Sequence, residues 1–248
     1  MNPYETAPLV SQYLLFHYGE PEEVLPWPDG PRDALGFPER CARLLAGHVP
    51  ENRRGRALDL GCAVGRSTFE LARSFQEVVG IDYSRSFVDA ARLLARTGSH
   101  PAVRIEEGAR GTPWTARVPE GIDRSRCRFE QGDACEEGGR WGEFDAVLLA
   151  NLIDRVNDPA GCLARLASHV APGGVVLITS PYTWMEEYTP QDRWLGGRPG
   201  DGSVVDRLLD LLQPVFTLVE MREMPFLIRE HARKYQWSVA QATVWRRS

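Results

Sequence analysis

The sequence predicts an α/β fold: a seven-stranded, mostly parallel sheet with one antiparallel strand, preceded by a helical cap. Three observations carry this reading. From residue 56 onward, short apolar runs alternate with amphipathic segments, the rhythm of βαβ units. The first run ends in a glycine-rich turn that opens a helix, ALDLGCAVGRST at 57–68. The chain closes on SVAQATVWRR, where polar and apolar residues alternate as in an antiparallel strand with one wetted face.

The elements follow in order. In LVSQYLLFHYG, Leu9, Tyr13 and Phe16 lie at helical spacing, as do Val10, Leu14 and His17. A Pro-rich crossing, PEEVLPWPDGPRD, rules out one regular element. FPERCARLLAGHV is a helix closed by Pro50. Residues 1–54 are thus a helical cap, and 55–248 the core of one domain. RALDLG is a buried strand, RSTFELARSF a helix, VVGID a strand and SRSFVDAARLLART a helix. CRFEQGD and FDAVLLAN are the third and fourth strands; DPAGCLARLASHV is a helix ended by PGG, and VVLITSP is the fifth strand. VVDRLLDLLQP is a helix, and the tail holds two late strands joined through HARKYQW. Two stretches interrupt the alternation. Residues 97–126 read as an inserted hairpin, AVRIEEG with WTARVPEG. Residues 182–202 form a long loop whose tryptophans and tyrosines argue against disorder.

Composition narrows the function. Apolar residues make up 43% and charged residues 25%, an ordinary globular balance. The net charge of -5 gives no general attraction to nucleic acid or anionic membrane. No apolar run approaches the roughly 18 residues a membrane span needs, and the N-terminus lacks a secretory pattern. The five cysteines are scattered, without a CxxC pair, so reduced thiols in a cytoplasmic protein are expected, with no metal site.

The glycine turn is the sharpest motif. A dinucleotide fingerprint fails at Ala63 and Arg66, and a P-loop fails as well. What remains is Asp59-x-Gly61-x-x-x-Gly65 at the carboxyl end of a strand, where open α/β sheets bind ligands. Gly61 permits close backbone approach and Gly65 tight passage into the helix. Asp82 ends the second strand about twenty residues on, placed to accept both hydroxyls of a ribose. Its alternative role is to organise the start of the following helix.

This pattern resembles motif I of class I S-adenosylmethionine (SAM) methyltransferases, whose sheet is Rossmann-like. The resemblance implies SAM as cofactor and S-adenosylhomocysteine (SAH) as product. It implies a cofactor site of Asp59, Gly61, Cys62, Gly65, Asp82, Tyr83, Ser84, Asp133, Ala134 and Asn151, with Asp133 toward the adenine and Asp59 near the sulfonium. Gln12 and Tyr13 are expected at the methionine end. NPYETAPLVSQYLLFHYG, LDLGCAVGRSTFEL, GIDYSRSF, NLIDR and ITSPYTW together resemble the 4-mercaptohistidine (5-thiohistidine) ring-nitrogen methyltransferases of ovothiol biosynthesis. That resemblance implies N-methylation of an imidazole and a functional link to a sulfoxide synthase. The 248 residues leave no room for that partner, so a free-standing enzyme is expected.

An imidazole acceptor needs a cation or N–H donors, a carboxylate and aromatic walls. Asn151, Asp154 and His17 are the catalytic candidates. His17, Tyr18, Asn151, Arg155, Ser180, Tyr182 and Trp184 are the acceptor-binding candidates, and Arg233, Lys234 and Tyr235 candidates for closing over it. Each has a plainer role: Asp154 as a helix cap, Arg155 at the surface, Trp184 and His17 in the core. The readings that compete for the whole chain are methyl transfer to another small metabolite and a non-catalytic SAM-binding module.

Overall fold

The computed structural model describes residues 3–136 and 141–248. The cap comprises α1 (Ala7–Tyr18), α2 (Pro21–Val24) and α3 (Phe37–Gly47). The Pro-rich crossing is broken into α2 and a 3₁₀ turn at Arg32–Ala34, as its prolines require. The core runs β1 (Arg56–Leu60), α4 (Arg66–Leu71), β2 (Glu77–Asp82), α5 (Arg85–Thr97), β3 (Ser99–Glu107), β4 (Arg110–Arg117), β5 (Cys127–Gln131), β6 (Phe144–Ala150), α6 (Pro159–Ala164), β7 (Val170–Ser180), α7 (Val204–Leu212), β8 (Phe216–His231) and β9 (Lys234–Arg247).

Seven strands form one sheet in the order β5-β2-β1-β6-β7-β9-β8. Only β9 runs against its neighbours, pairing antiparallel with β7 and β8. The order reverses between β2-β1 and β1-β6, which opens a crevice at the carboxyl ends of those strands. The predicted hairpin is β3–β4, a separate two-stranded sheet.

Alternation along the strands divides the core into two faces. Leu58, Leu60, Val79, Ile81, Val147 and Leu149 pack with Leu163 of α6 and Leu208 of α7. Ala57, Val78, Ala146 and Leu148 pack with Cys41 and Leu45 of α3. A further cluster joins the cap to the crevice: Leu14 and Tyr18 of α1 meet Cys62, Val64, Phe87 and Phe129.

Three expectations need correction. The segment expected as one helix to residue 75 is helical only through Leu71, and Ala72–Ser74 turn so that Phe75 enters the core. PGG does not separate helix from strand, because β7 already begins at Val170 and takes up Pro172–Gly174 with a register shift, Gly173 at φ 74°. HARKYQW is not a connection: only Ala232 and Arg233 separate β8 from β9. β9 pairs with β7 no further than Gln241 opposite Ser180, whereas its pairing with β8 continues to Lys234 opposite His231. The hairpin therefore projects some eight residues, about 25 Å, past the carboxyl end of β7. Its tip is tied to the insertion, where Ala232 N–H donates to the Glu106 carbonyl (3.3 Å). Arg233, Lys234 and Tyr235 sit at this tip: Arg233 over the Trp27 ring, Lys234 paired with Glu230, and Tyr235 donating to the Ala232 carbonyl. Among the described residues no helix is long and apolar enough to cross a membrane.

Candidate cofactor and acceptor site

The site is built on the loops that follow β1, β2, β6 and β7. Among the described residues the non-glycine residues with positive φ are Ala63 (47°), Asn151 (52°) and Tyr182 (54°), one after each of β1, β6 and β7. Backbone strain of this kind persists only where the surroundings impose it, and it concentrates at ligand sites.

After β1, Gly61 takes φ 74°, and Gly61 N–H and Cys62 N–H both donate to the Ile81 carbonyl (2.8 and 3.0 Å). A Cβ on Gly61 would lie 2.8 Å from Leu152 Cδ1. Asp59 is fully buried; its Oδ2 accepts hydrogen bonds from the Ser67 and Thr68 hydroxyls (both 2.7 Å). Its Oδ1 has no partner, and burial pushes its pKa up to about 6. Asp82 accepts from Ala63 N–H through Oδ2 and from Ser84 N–H through Oδ1 (2.8 Å each), and burial raises it likewise to about 6. One carboxylate therefore shapes both the glycine turn and the start of α5. Each oxygen keeps acceptor capacity for a ribose hydroxyl.

The other cofactor candidates divide. Cys62 is a buried, neutral thiol whose pKa burial pushes up. Gly65 takes φ 88° and its N–H donates to the Cys62 carbonyl (2.9 Å). Tyr83 points to solvent and offers only its carbonyl, to Gln131. Ser84 caps α5, its Oγ accepting from Phe87 N–H, and donates to the Tyr4 carbonyl. Asp133 holds the turn after β5 by accepting from Cys135 N–H (2.8 Å), with Ala134 packed against the core.

α1 lies over the glycine turn. The Tyr18 hydroxyl donates to the Val64 carbonyl (2.8 Å), and the Tyr13 ring stacks obliquely on Phe87 at 4.8 Å. Gln12 departs from expectation: it is on another flank of the helix and lines a cavity of about 300 Å³ with Ser11, Arg104 and Arg229. His17 turns toward a cavity of about 230 Å³ with Phe16, Glu39 and Arg66. Burial first, then the nearby Arg66 charge, hold its imidazole down at about pKa 3, so it is neutral near pH 7.

On the far side of the crevice, Asn151 Oδ1 accepts from the Thr179 hydroxyl (2.9 Å), and Asn151 N–H donates to that same hydroxyl oxygen (3.0 Å). Asp154 is fully buried: Oδ2 accepts from Thr183 N–H (3.0 Å) and Arg155 Nη1 (2.9 Å), while Oδ1 has no partner. Its pKa is raised by burial, against the pull of Arg155. Arg155 is no free surface arginine, because Nη1 also donates to the Asp154 and Thr183 carbonyls. Ser180 Oγ accepts from Tyr182 N–H, and the Tyr182 hydroxyl donates to Gln241 (2.8 Å). Trp184 packs into the core and stacks with Trp194 at 6.3 Å, its Nε1 buried without a partner.

The arrangement fits a nucleoside carrying a cationic centre. It has a positive-φ glycine turn at Gly61 and Gly65, acceptor capacity for a diol on the Asp82 carboxylate and an unpartnered buried carboxylate oxygen at Asp59. Residues 35–220 match a family model described as a methyltransferase domain. The chain belongs to the methyltransferase-domain family. It is 30% identical over 152 residues to a trans-aconitate 2-methyltransferase of Deinococcus radiodurans, covering 60% of this chain and 46% of that protein. It is 29% identical over 125 residues to a ubiquinone biosynthesis O-methyltransferase of a Bradyrhizobium strain, covering 50% and 39%. The chain thus spans less than half the length of these relatives. In fold it is similar to the N-methyltransferase NodS of Bradyrhizobium japonicum in complex with SAH, with a TM-score of 0.54 at 15% identity over 96% of this chain and 98% of that one. The fold is the Rossmann-like methyltransferase type.

Several site residues escaped the sequence reading. Ser67 and Thr68, which hold Asp59, lie within LDLGCAVGRSTFEL, Phe87 within GIDYSRSF and Thr183 within ITSPYTW, each without an expected role, and Tyr188 lies outside these stretches. Tyr4 lies within the quoted NPYET stretch without a role; Asn2 of that stretch is outside the described residues.

Proposed function

We propose that this methyltransferase transfers the methyl group of SAM to an imidazole nitrogen of 4-mercaptohistidine, as in ovothiol biosynthesis. The observation that carries the reading is the placement of the N-terminal stretch whose sequence resembles those enzymes. Tyr18 fastens it to the glycine turn, and Tyr4 and Tyr13 lie beside Arg155. A charged pair walled by aromatic rings suits a flat heterocycle bearing ammonium and carboxylate groups.

Bound SAM supplies an activated methyl with a neutral thioether as leaving group. The protein's part is positioning, which is worth on the order of 7–11 kcal/mol when the reacting atoms are held in line. An imidazole is largely neutral at pH 7, with an ordinary pKa of about 6.5, so its ring lone pair needs no strong base. The new N–C bond forms as the methyl–sulfur bond breaks, and the ring proton is lost afterwards. In this reading the unpartnered Oδ1 of Asp154 holds the acceptor ammonium, Asn151 donates from its amide and Arg155 meets an anion. The buried His17, with its low pKa, serves packing of α1 rather than proton transfer.

The test is incubation with SAM and 4-mercaptohistidine followed by mass spectrometry. A gain of one methyl on the ring, with SAH formed in equal amount, supports the reading. SAH formation only with a different metabolite discards the acceptor, and SAH binding without turnover on any acceptor discards the enzyme.

A further inference from the structure

Tyr4 and Tyr188 belong neither to the glycine turn nor to a strand end, yet their rings lie 5.9 Å apart. Tyr13 is 5.9 Å from Tyr4 on its other side, and Phe87 is 5.6 Å away. The Tyr4 hydroxyl is within hydrogen-bonding range of the Tyr13 and Tyr188 hydroxyls and of the Arg155 guanidinium, and the Tyr188 hydroxyl is also within range of the Glu187 carboxylate, with which an incoming carboxylate must compete. Arg155 also lies over the Tyr188 ring, 5.3 Å from its centre. Three phenols and one guanidinium therefore converge. Their frame is fixed: Arg155 Nη1 is held by Asp154 and Thr183, and the segment carrying Tyr4 is clipped to α5. The clip is the Glu5 carboxylate, which accepts from Arg85 N–H (2.9 Å) and Ser86 N–H (3.0 Å), a favourable place for a negative charge. The Arg155 side chain still keeps 24% of its surface open.

We infer that Tyr4, Tyr188 and Arg155 form a clamp for the carboxylate of the acceptor and so determine specificity for an amino-acid-type imidazole. The inference rests on the acceptor reading given above. Phenolic hydroxyls and a guanidinium are all donors, and hydrogen bonds to an ionised acceptor are about twice as strong as neutral ones. Burial holds the Tyr13 and Tyr188 hydroxyls protonated well above neutral pH, so they remain donors. The clamp stands beside the buried Asp154 carboxylate, which matches the adjacent α-ammonium. The clamp bridges the crevice: Arg155 and Thr183 follow β6 and β7, whereas Tyr4 is tied through Ser84 and Glu5 to the start of α5, next to Asp82. The SAH-binding arm of the test therefore separates the acceptor's carboxylate from the donor's.

The test titrates SAH-loaded protein calorimetrically with two pairs of ligands: 4-mercaptohistidine and its decarboxylated amine, and L-histidine and histamine. The wild type is expected to prefer the carboxylate-bearing member by about tenfold or more. Tyr4→Phe and Tyr188→Phe should each remove most of that preference, leaving binding of the amine and of SAH within about twofold. Arg155→Lys, which keeps the charge but loses the fork, should retain only part of it. Equal binding of acid and amine by the wild type overturns the clamp. Weakened SAH binding in the tyrosine variants overturns it in favour of the donor's carboxylate. If mercaptohistidine is not methylated while L-histidine still out-binds histamine in a Tyr4-dependent way, the clamp stands and the acceptor's identity falls. A wild type that binds none of the four overturns both.

Discussion

Asp59→Asn isolates the electrostatic cost built into the cofactor site. Asp59 is fully buried with one oxygen unpartnered, and its pKa rises to about 6 from an ordinary value of 3.8. A carboxyl whose folded pKa lies above its unfolded one binds its proton more tightly in the native state. The penalty is therefore absent well below pH 3.8, grows through the interval and is complete above pH 6. At 1.36 kcal/mol per unit, it is about 0.6 kcal/mol at pH 4 and about 3 kcal/mol at pH 7.5. Asn cannot ionise, and its carbonyl oxygen can still accept from Ser67 and Thr68. The cost of burying its NH2 group is about 1–3 kcal/mol, but it does not vary with pH and drops out of the comparison. Urea unfolding of the ligand-free wild type and variant at several pH values gives the difference directly. The variant should gain about 2.4 kcal/mol relative to wild type between pH 4 and 7.5. On the proposed cofactor reading it should also bind SAM more weakly, because the site loses a carboxylate able to face the donor's cationic groups. A stability difference that stays flat across this range would refute the account, since loss of the Asp59 charge also relieves Asp82, and that change has the same sign.

His17→Phe should show the opposite slope. The imidazole is held at about pKa 3 in the folded protein, so the unfolded chain takes up the extra proton as pH falls below about 6.5. The variant should gain about 3 kcal/mol on wild type between pH 7 and 4 in urea unfolding, with the pH–rate profile above pH 6 unchanged. Gly61→Ala places a Cβ at φ 74° and 2.8 Å from Leu152 Cδ1. It should lose about 1–2 kcal/mol of stability and, by thermal shift, most of the stabilisation given by SAH. Tyr18→Phe leaves the buried Val64 carbonyl without its 2.8 Å donor. It should lower stability by about 1–3 kcal/mol in urea unfolding; an unchanged midpoint would mean that α1 is not fastened to the glycine turn.

The sheet was legible because its determinants are local. Buried parallel strands read as apolar runs, and glycines at the turn mark backbone that other residues do not adopt. The antiparallel β9 was legible in the late polar–apolar alternation, whereas the strand order was not. What sequence did not reveal depends on distant partners. The long β8–β9 arm reads as two short strands with a loop because its outer half pairs only with itself and leans on the inserted hairpin. Asp59 and Asp82 stand out in a motif, but the hydroxyls and N–H groups that hold them come from the next helix and the next turn. The acceptor side is harder still. Arg155 reads as a surface arginine until Asp154 and Thr183 fix it, and Tyr4 and Tyr188 are 184 positions apart in the chain. The aromatic helix α1 explains why these distances matter. Its Leu14 and Tyr18 dock on the glycine turn, and that docking carries Tyr4 and Tyr13 across the crevice to Arg155. A segment that looks like core packing in sequence thus sets the spacing between the donor loop and the acceptor clamp. A change in α1 should accordingly act on both substrates at once, whereas a change at Tyr4 or Tyr188 should act on one.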